Sequence, residues 1–257
     1  MMTNRQGFIA VVAVAAVLAC CAGTALAQPF SGGLPQCQRS LNTCNANLAT
    51  CTTQLSACQA AAQQFPATGQ TTCSNSTGQF ISCAGTGQDG EIQAGGTLSY
   101  TDNGNGTITD NNTKLVWEKK SADGTIHDVN TLYTWDNAFP VHIGGLNVSN
   151  FAGHNDWRLP NVKELQSIVN YASSNPAVSA AFNNACSAGC TVTSCSCTAR
   201  IEPTGAGYWS STTWMVELQF AWVVDFVDGV VKRDGIKPTD GALVFAGHVR
   251  AVRGGTP

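Results

Sequence analysis

Hydrophobic positions recur with three different periods along this chain. From Gly7 to about Leu18 they run unbroken. From Cys37 to Gln59 they return every seven residues, with Cys37, Cys44, Cys51 and Cys58 as one series and Leu41, Leu48 and Leu55 as a second between them. From about Thr97 to Gly255, short period-two segments surround two segments of helical character. That order predicts an export signal, a helical stalk and an α+β domain, with boundaries at 1–27, 28–62, 63–96 and 97–255.

The first segment is too short and too promptly followed by a processing site to span a membrane. Arg5 is its only charge, and Ala25-Leu26-Ala27 supplies a small-x-small cleavage site. Lipidation at Cys20 is the alternative, but Leu18, two residues before it, is larger than that position normally holds. No later stretch reaches ~18 consecutive apolar residues, so no membrane span is expected downstream. The expected location is the periplasm, the cell surface or outside the cell.

The heptad places leucines at a and cysteines at d of a seam about three turns of seven long. Residues seven apart on a helix lie about 10.5 Å apart along its axis. A disulfide needs Cα atoms within about 7 Å. Neighbouring cysteines of the series therefore cannot pair within one helix. In a parallel dimer or trimer each meets its symmetry mate, so Cys37, Cys44, Cys51 and Cys58 are interchain disulfide candidates. A monomeric helix with buried thiols, and a bundle binding soft metal, are the competing readings.

Residues 60–72 read as helix end and linker, within a linker region that runs over 63–96. Cys73 and Cys83 flank "SNSTGQFIS" and suggest a hairpin disulfide. Gly85 to Gly90 match G-x-G-x-x-G, but no strand–turn–helix surrounds them, so a dinucleotide site is rejected.

In the third region "TLSYTDNGNGTITD" reads as a hairpin. Its Asp102, Asn103, Asn105 and Asp110 suggest calcium, but Gly104 breaks the alternation that an EF-hand loop needs, and turn chemistry accounts for them. No cofactor is expected. "KLVWEKK" is a strand that buries Leu115 and Trp117. A helix begins at Thr134 and is ended or bent by Pro140. A second begins at Asn161, with Glu164 completing a capping box and an apolar stripe of Val162, Leu165, Ile168, Val169 and Ala172. "YWSSTT" is a strand. "FAWVVDFVDGVVKRDG" is a hairpin whose two-residue Asp228-Gly229 turn is of type I′. That register sets Val227 against Val230, Phe226 against Val231 and Asp225 against Lys232. "HVRAVRG" is the closing strand.

Composition narrows the function. Loss of the signal removes Arg5 and leaves 12 basic against 16 acidic side chains, a net charge of −4. This argues against nucleic acid and against a general polyanion binder. Export favours disulfides. There is no G-x-S-x-G and no H-E-x-x-H, and His127, His142, His154 and His248 are scattered. Of the carboxylates, Glu164 caps a helix and Asp225 has a cross-strand partner. No enzyme is expected.

Several motifs, in order, resemble one family: Trp117, "YTWDNA", "GHNDWRLPNVKELQSIVNY", "YWSSTT", "AWVVDFVDG" and "VRAVRGG". Together they are similar to the Lcl C-terminal domain family, named for a collagen-like bacterial adhesin, over about Tyr100 to Gly255. The resemblance implies a C-type-lectin-like domain with two helices and a mixed, mostly antiparallel sheet. Formylglycine-generating-enzyme-like domains, with a related "RLPT" helix start, belong to the same fold group. It also implies a surface module on an oligomeric stalk, implicated in adhesion and in binding sulfated glycans. Its structural motif residues fall on Trp117, Trp157, Arg158, Glu164, Trp209, Trp222, Asp225, Arg250 and Arg253.

The chain departs from that family at two positions where many members carry cysteines. They fall here at about Val141 or His142, and at Ala251. Cys186, Cys190, Cys195 and Cys197, within "CSAGCTVTSCSC", offset the loss. Zinc is one use for four cysteines, but Cys195-Ser196-Cys197 is too close for a C-x₂-C knuckle, and two local disulfides are the expectation. The surface residues best suited to a ligand are Trp214, Lys232, Arg233 and Lys237. Two function classes follow: a surface adhesion or glycan-binding module on a self-associating stalk, or an envelope assembly protein with no small ligand.

Overall fold

The computed structural model describes residues 43, 45–53, 65–199, 207–236 and 246–254. The chain divides into two units, Met1–Gln63 and Gln64–Pro257. Among the described residues no helix is long and apolar enough to cross a membrane.

In the first unit, residues 45–53 are helical. Leu48 is half exposed on it. The hydroxyls of Thr50, Thr52 and Thr53 donate to the carbonyls of Ala46, Leu48 and Ala49, four residues back. Cys37, Cys44, Cys58, Leu41 and Leu55 lie outside the described residues.

The second unit is α+β. It opens with strands β1 (Cys73–Ser74) and β2 (Phe80–Ile81), joined by the Cys73–Cys83 disulfide, and the short helix α1 (Asp89–Ile92). This segment docks on the rest of the unit. Ala67 N donates to Gly96 O and Gly96 N to Phe65 O, and Tyr171 N donates to Thr68 O at 2.8 Å.

Strands β3 (Tyr100–Asp102), β4 (Thr107–Asp110), β5 (Leu115–Glu118) and β9 (Val252–Gly254) form an antiparallel sheet in the order β3-β4-β5-β9. Strands β6 (Tyr208–Thr213), β7 (Phe220–Asp225) and β8 (Val230–Ile236) form a second antiparallel sheet. The helical run α2 comprises Trp135–Asn137, a π-helical stretch Ala138–Ile143 and Gly144–Val148. Helix α3 is Val162–Ser167. Single bridges, Arg158 with Val252 and Tyr208 with His248, tie these parts together.

Successive side chains of a strand point to opposite faces. In β5, Leu115 and Trp117 enter one core with Ile168, Phe182, Tyr208 and Phe226. Val116 packs into another, with Tyr133, Leu146, Trp157, Trp209 and Ala251. Strand β7 divides likewise, Val224 into the first core and Val223 into the second. Both strands are therefore covered on two sides. This is why Glu118, on the Val116 face of β5, has no exposed surface.

Three local expectations are corrected. The β7–β8 turn is not a two-residue type I′ turn. Asp225 pairs with Val230, Val224 with Val231 and Val223 with Lys232, leaving a four-residue loop Phe226–Gly229. Type I′ needs two residues at positive φ, and here Gly229 has one (84°) while Asp228 does not. The competing force is burial. Phe226 packs against Tyr208 with ring centroids 4.9 Å apart, and its carbonyl accepts from Ala177 N. Pro140, expected to end or bend its helix, does not end it. The run widens to i→i−5 bonding, with Gly144 N donating to Phe139 O, and continues to Val148. Helix α3 stops at Ser167, so Ala172 is exposed rather than part of a stripe. Ile168 and Val169 remain buried, Val169 through a bridge to Val178.

Candidate functional site

Two clusters of polar side chains stand apart from this scaffold, one on the surface and one sealed inside. The surface cluster lies on the β6–β7 hairpin and its neighbour β8. Trp214 and Phe220 face each other across the hairpin neck, with Trp214 N donating to Phe220 O at 2.9 Å and the rings edge-to-face at 5.7 Å. Arg233, on β8, lays its guanidinium over the Trp214 ring at 4.4 Å and over Phe220 at 5.9 Å. Arg233 itself is exposed, and Trp214 is half-buried. Beyond the neck the loop exposes Met215, Val216 and Leu218.

A guanidinium stacked on an aromatic face keeps its in-plane N–H donors free for a planar anion. The stack also restricts Arg233's rotamers, which lowers the entropic cost of engaging a ligand. One face of the Trp214 ring is thus covered by Arg233. Lys232 takes a different role: its Nζ contacts Asp225 at 3.2 Å, although their backbones are not directly opposite. Lys237 lies outside the described residues. Of the four surface residues picked out by sequence, the structure thus joins Trp214 and Arg233 and places Lys232 in an ion pair.

The motif residues are mostly structural in their contacts. Trp117, Trp157 and Trp209 are buried, while Trp222 is partly exposed. Arg158 binds both carboxylate oxygens of Glu164, at 2.6 and 2.8 Å. Glu164 also closes the α3 capping box with Asn161. Arg253 pairs with Asp156 at 2.7 Å.

The sealed cluster centres on Glu118. One oxygen, Oε1, accepts from His127 Nδ1 at 2.8 Å and Lys120 Nζ at 3.1 Å. The other, Oε2, accepts from His142 Nε2 at 2.8 Å and the Ala251 amide at 2.9 Å. With Nε2–H donating, His142 Nδ1 is left facing the Tyr133 hydroxyl at 3.4 Å. Burial opposes charge on the Glu118 carboxyl, but His142, Lys120 and the histidine hydrogen bonds hold it well below the usual carboxylate range. Burial pushes His142 down despite Glu118, and Lys120 down as well. Every Glu118 contact comes from the chain itself, so the cluster reads as structural.

Sequence reasoning treated the histidines as scattered and missed this centre. One signal pointed to it. The family resemblance places a pair of cysteines at about Val141 or His142 and at Ala251. Here a single oxygen of Glu118 accepts from both His142 Nε2 and the Ala251 amide.

Arg250 is buried beside the same centre. It donates to the carbonyls of Glu118 (3.0 Å) and Cys197 (2.6 Å) and to Thr198 Oγ1 (2.9 Å). The insert is thereby attached to the core. Its cysteines form two bridges, Cys186–Cys197 and Cys190–Cys195.

The family model described as the Lcl C-terminal domain matches residues 106–253. That span runs from the β3–β4 turn to β9 and holds both clusters and the four-cysteine insert. No curated protein and no solved structure matches the chain. On the extent of the family match, the chain belongs to the Lcl C-terminal domain family.

Proposed function

We propose that this chain is an exported, surface-associated binding module of C-type-lectin-like type that recognises acidic glycans through Arg233. Its heptad segment self-associates and is stapled by disulfides between chains. Membership of the Lcl C-terminal domain family supports a surface role. Three disulfides in the second unit fit an oxidising location.

The observation that carries the ligand class is the Arg233–Trp214 stack. It presents an exposed, oriented guanidinium rather than an open aromatic face. A sulfate or carboxylate on a sugar matches its paired donors, and the apolar loop beside it suits the carbon face of a sugar ring. A charge-assisted contact of this kind contributes about 1.5–3 kcal/mol. The chain's overall acidity limits non-specific attraction and favours a ligand with locally placed charge.

A glycan array with the full chain tests the reading. Sulfated and uronic glycans should be retained, and Arg233→Ala should lose about tenfold or more in affinity. Retention of neutral sugars that Arg233→Ala leaves unchanged would overturn it. An absence of any glycan binding would favour the envelope-assembly reading.

A further inference from the structure

The β6–β7 hairpin ends in a loop that the rest of the fold leaves in water. Trp214 N donates to Phe220 O and closes the neck, and every residue beyond it, from Met215 to Gln219, is exposed. Three of these are large and apolar: Met215 is 79% exposed, Val216 75% and Leu218 62%. Nowhere else among the described residues do three such side chains fall within four consecutive positions. From Tyr208 to Val224 the only charged side chain is Glu217, and its Oε2 accepts from Gln219 Nε2 at 3.2 Å. Exposed apolar side chains gathered in this way mark a surface that is covered in use. A sugar ring laid beside Arg233 would cover the base of the loop and leave its end in water.

Shape and charge select what covers it. The loop turns back on itself beyond its closing bond, so its apolar side chains sit on a convex tip. A rigid protein partner must offer a matching cavity, whereas the headgroup layer of a bilayer parts around such a tip. Behind the tip comes an aromatic pair, Trp214 and Phe220, with rings edge-to-face at 5.7 Å. The exposed Arg233 guanidinium lies over the Trp214 ring at 4.4 Å. The hairpin is therefore graded along its length, with apolar side chains at the end, aromatic rings at the neck and a cation beside the rings. A membrane surface is graded in the same order from within outward: acyl chains, the interface where tryptophan rings settle, then anionic headgroups. Apolar burial drives entry of the tip, and Arg233 meets a lipid phosphate with its in-plane donors. Glu217 limits entry to the boundary between headgroups and acyl chains, because a carboxylate deeper in the bilayer is costly.

We infer that the tip of the β6–β7 hairpin is a membrane-surface anchor, with Met215, Val216 and Leu218 inserted among lipids and Arg233 on the phosphate of an anionic headgroup. The inference rests on the anion-binding role proposed above for Arg233, and it adds a lipid headgroup to the ligands of that guanidinium. Lys232 contributes less, because its ammonium already contacts Asp225 at 3.2 Å.

The test titrates the full chain with vesicles whose acyl chains are brominated, made of phosphatidylcholine alone or mixed with phosphatidylglycerol, and follows tryptophan fluorescence. Bromine quenches a ring only at close range, so the readout reports the tip and not the N-terminal apolar run, which has no tryptophan. The mixed vesicles should quench, Trp214→Phe should remove most of that quenching, and the neutral vesicles should quench more weakly, with the difference shrinking as salt rises. A triple variant, Met215→Gln, Val216→Gln and Leu218→Gln, alters only exposed positions, so its circular dichroism should match the parent's. It should need at least about tenfold more lipid for the same quenching while binding a soluble sulfated glycan as the parent does. No quenching, quenching that the triple variant keeps at the same lipid concentration, or equal quenching by the two vesicle types would each overturn the anchor and leave the glycan reading standing. Quenching as described, in a chain that binds no soluble glycan, would remove the glycan reading and leave the anchor. Self-association that the triple variant loses, with no quenching by either vesicle, would overturn the anchor and assign the tip to a second copy of this chain.

Discussion

Replacing Glu118 with Gln changes little volume but removes the charge at the centre of the sealed cluster. Four donors now converge on its two oxygens, from Lys120, His127, His142 and the Ala251 amide. An amide offers one oxygen, and its NH₂ group would point donors at donors. Lys120, with almost no exposed side-chain surface, would lose its carboxylate partner. Breaking a buried ion pair from one side costs about 3–5 kcal/mol. For a unit of this size 1 kcal/mol corresponds to about 2–4 °C in melting temperature. Glu118→Gln should therefore lower the melting temperature by about 6–20 °C, measured by near-ultraviolet circular dichroism or calorimetry. Lys120→Met alone should also destabilise. The double variant should lose less than the sum of the two, because an apolar side chain no longer needs the charge. A loss below about 1 kcal/mol for Glu118→Gln, or strict additivity in the double variant, would refute the claim that this carboxylate organises the core.

Other outcomes follow from the same structure. Burial, reinforced by Lys120 and opposed by the Val129 backbone, pushes His248 down to about 4. A histidine that resists protonation when folded favours the folded state above its unfolded value near 6.5. That advantage is lost as pH falls from 6.5 to about 4, worth about 3 kcal/mol. His142 and Glu118 act in the same direction, Glu118 at lower pH, so acid titration of the melting temperature should show a steep fall that His248→Leu makes shallower. A chain beginning at Gln64 should melt cooperatively, since the segment from Phe65 to Gly96 docks on its own unit; a protease-sensitive product would contradict this. On non-reducing gels the full chain should run as a covalent oligomer, and changing Cys37, Cys44, Cys51 and Cys58 to Ser should leave a monomer band; monomer in both lanes would remove the staple.

The legible parts of the fold were those fixed by local chemistry. Asn161 and Glu164 cap α3 because each satisfies a backbone amide of the same turn. The β3–β4 turn carries Gly104 and Gly106 at positive φ, where glycine is the ready choice. What escaped was set by distant partners. Alternation along "KLVWEKK" marks Glu118 and Lys120 as a polar, solvent-facing row, but α2 and the chain near Ala251 cover that face. His127 and His142 meet Glu118 from 9 and 24 residues away. No spacing rule joins them. The β7–β8 register failed for a similar reason: the Asp-Gly signal is local, while the pull on Phe226 comes from Tyr208 and Ala177. At the surface cluster, residue types suggested a basic patch and the hairpin already brought Lys232 to Asp225, but only the fold shows that Arg233 stacks on Trp214.

The glycan-binding proposal rests on an oriented cation, so it is tested most directly by titrating one sulfated glycan and its desulfated counterpart into the full chain at low and physiological salt. Exposed charge contacts are screened over about 8 Å at physiological salt. The sulfated ligand should bind with an affinity that falls as salt rises, the desulfated one should bind at least tenfold more weakly, and Arg233→Ala should abolish the difference while Lys232→Ala changes it less. Equal affinity for the two ligands, insensitive to salt and to Arg233→Ala, would contradict the account.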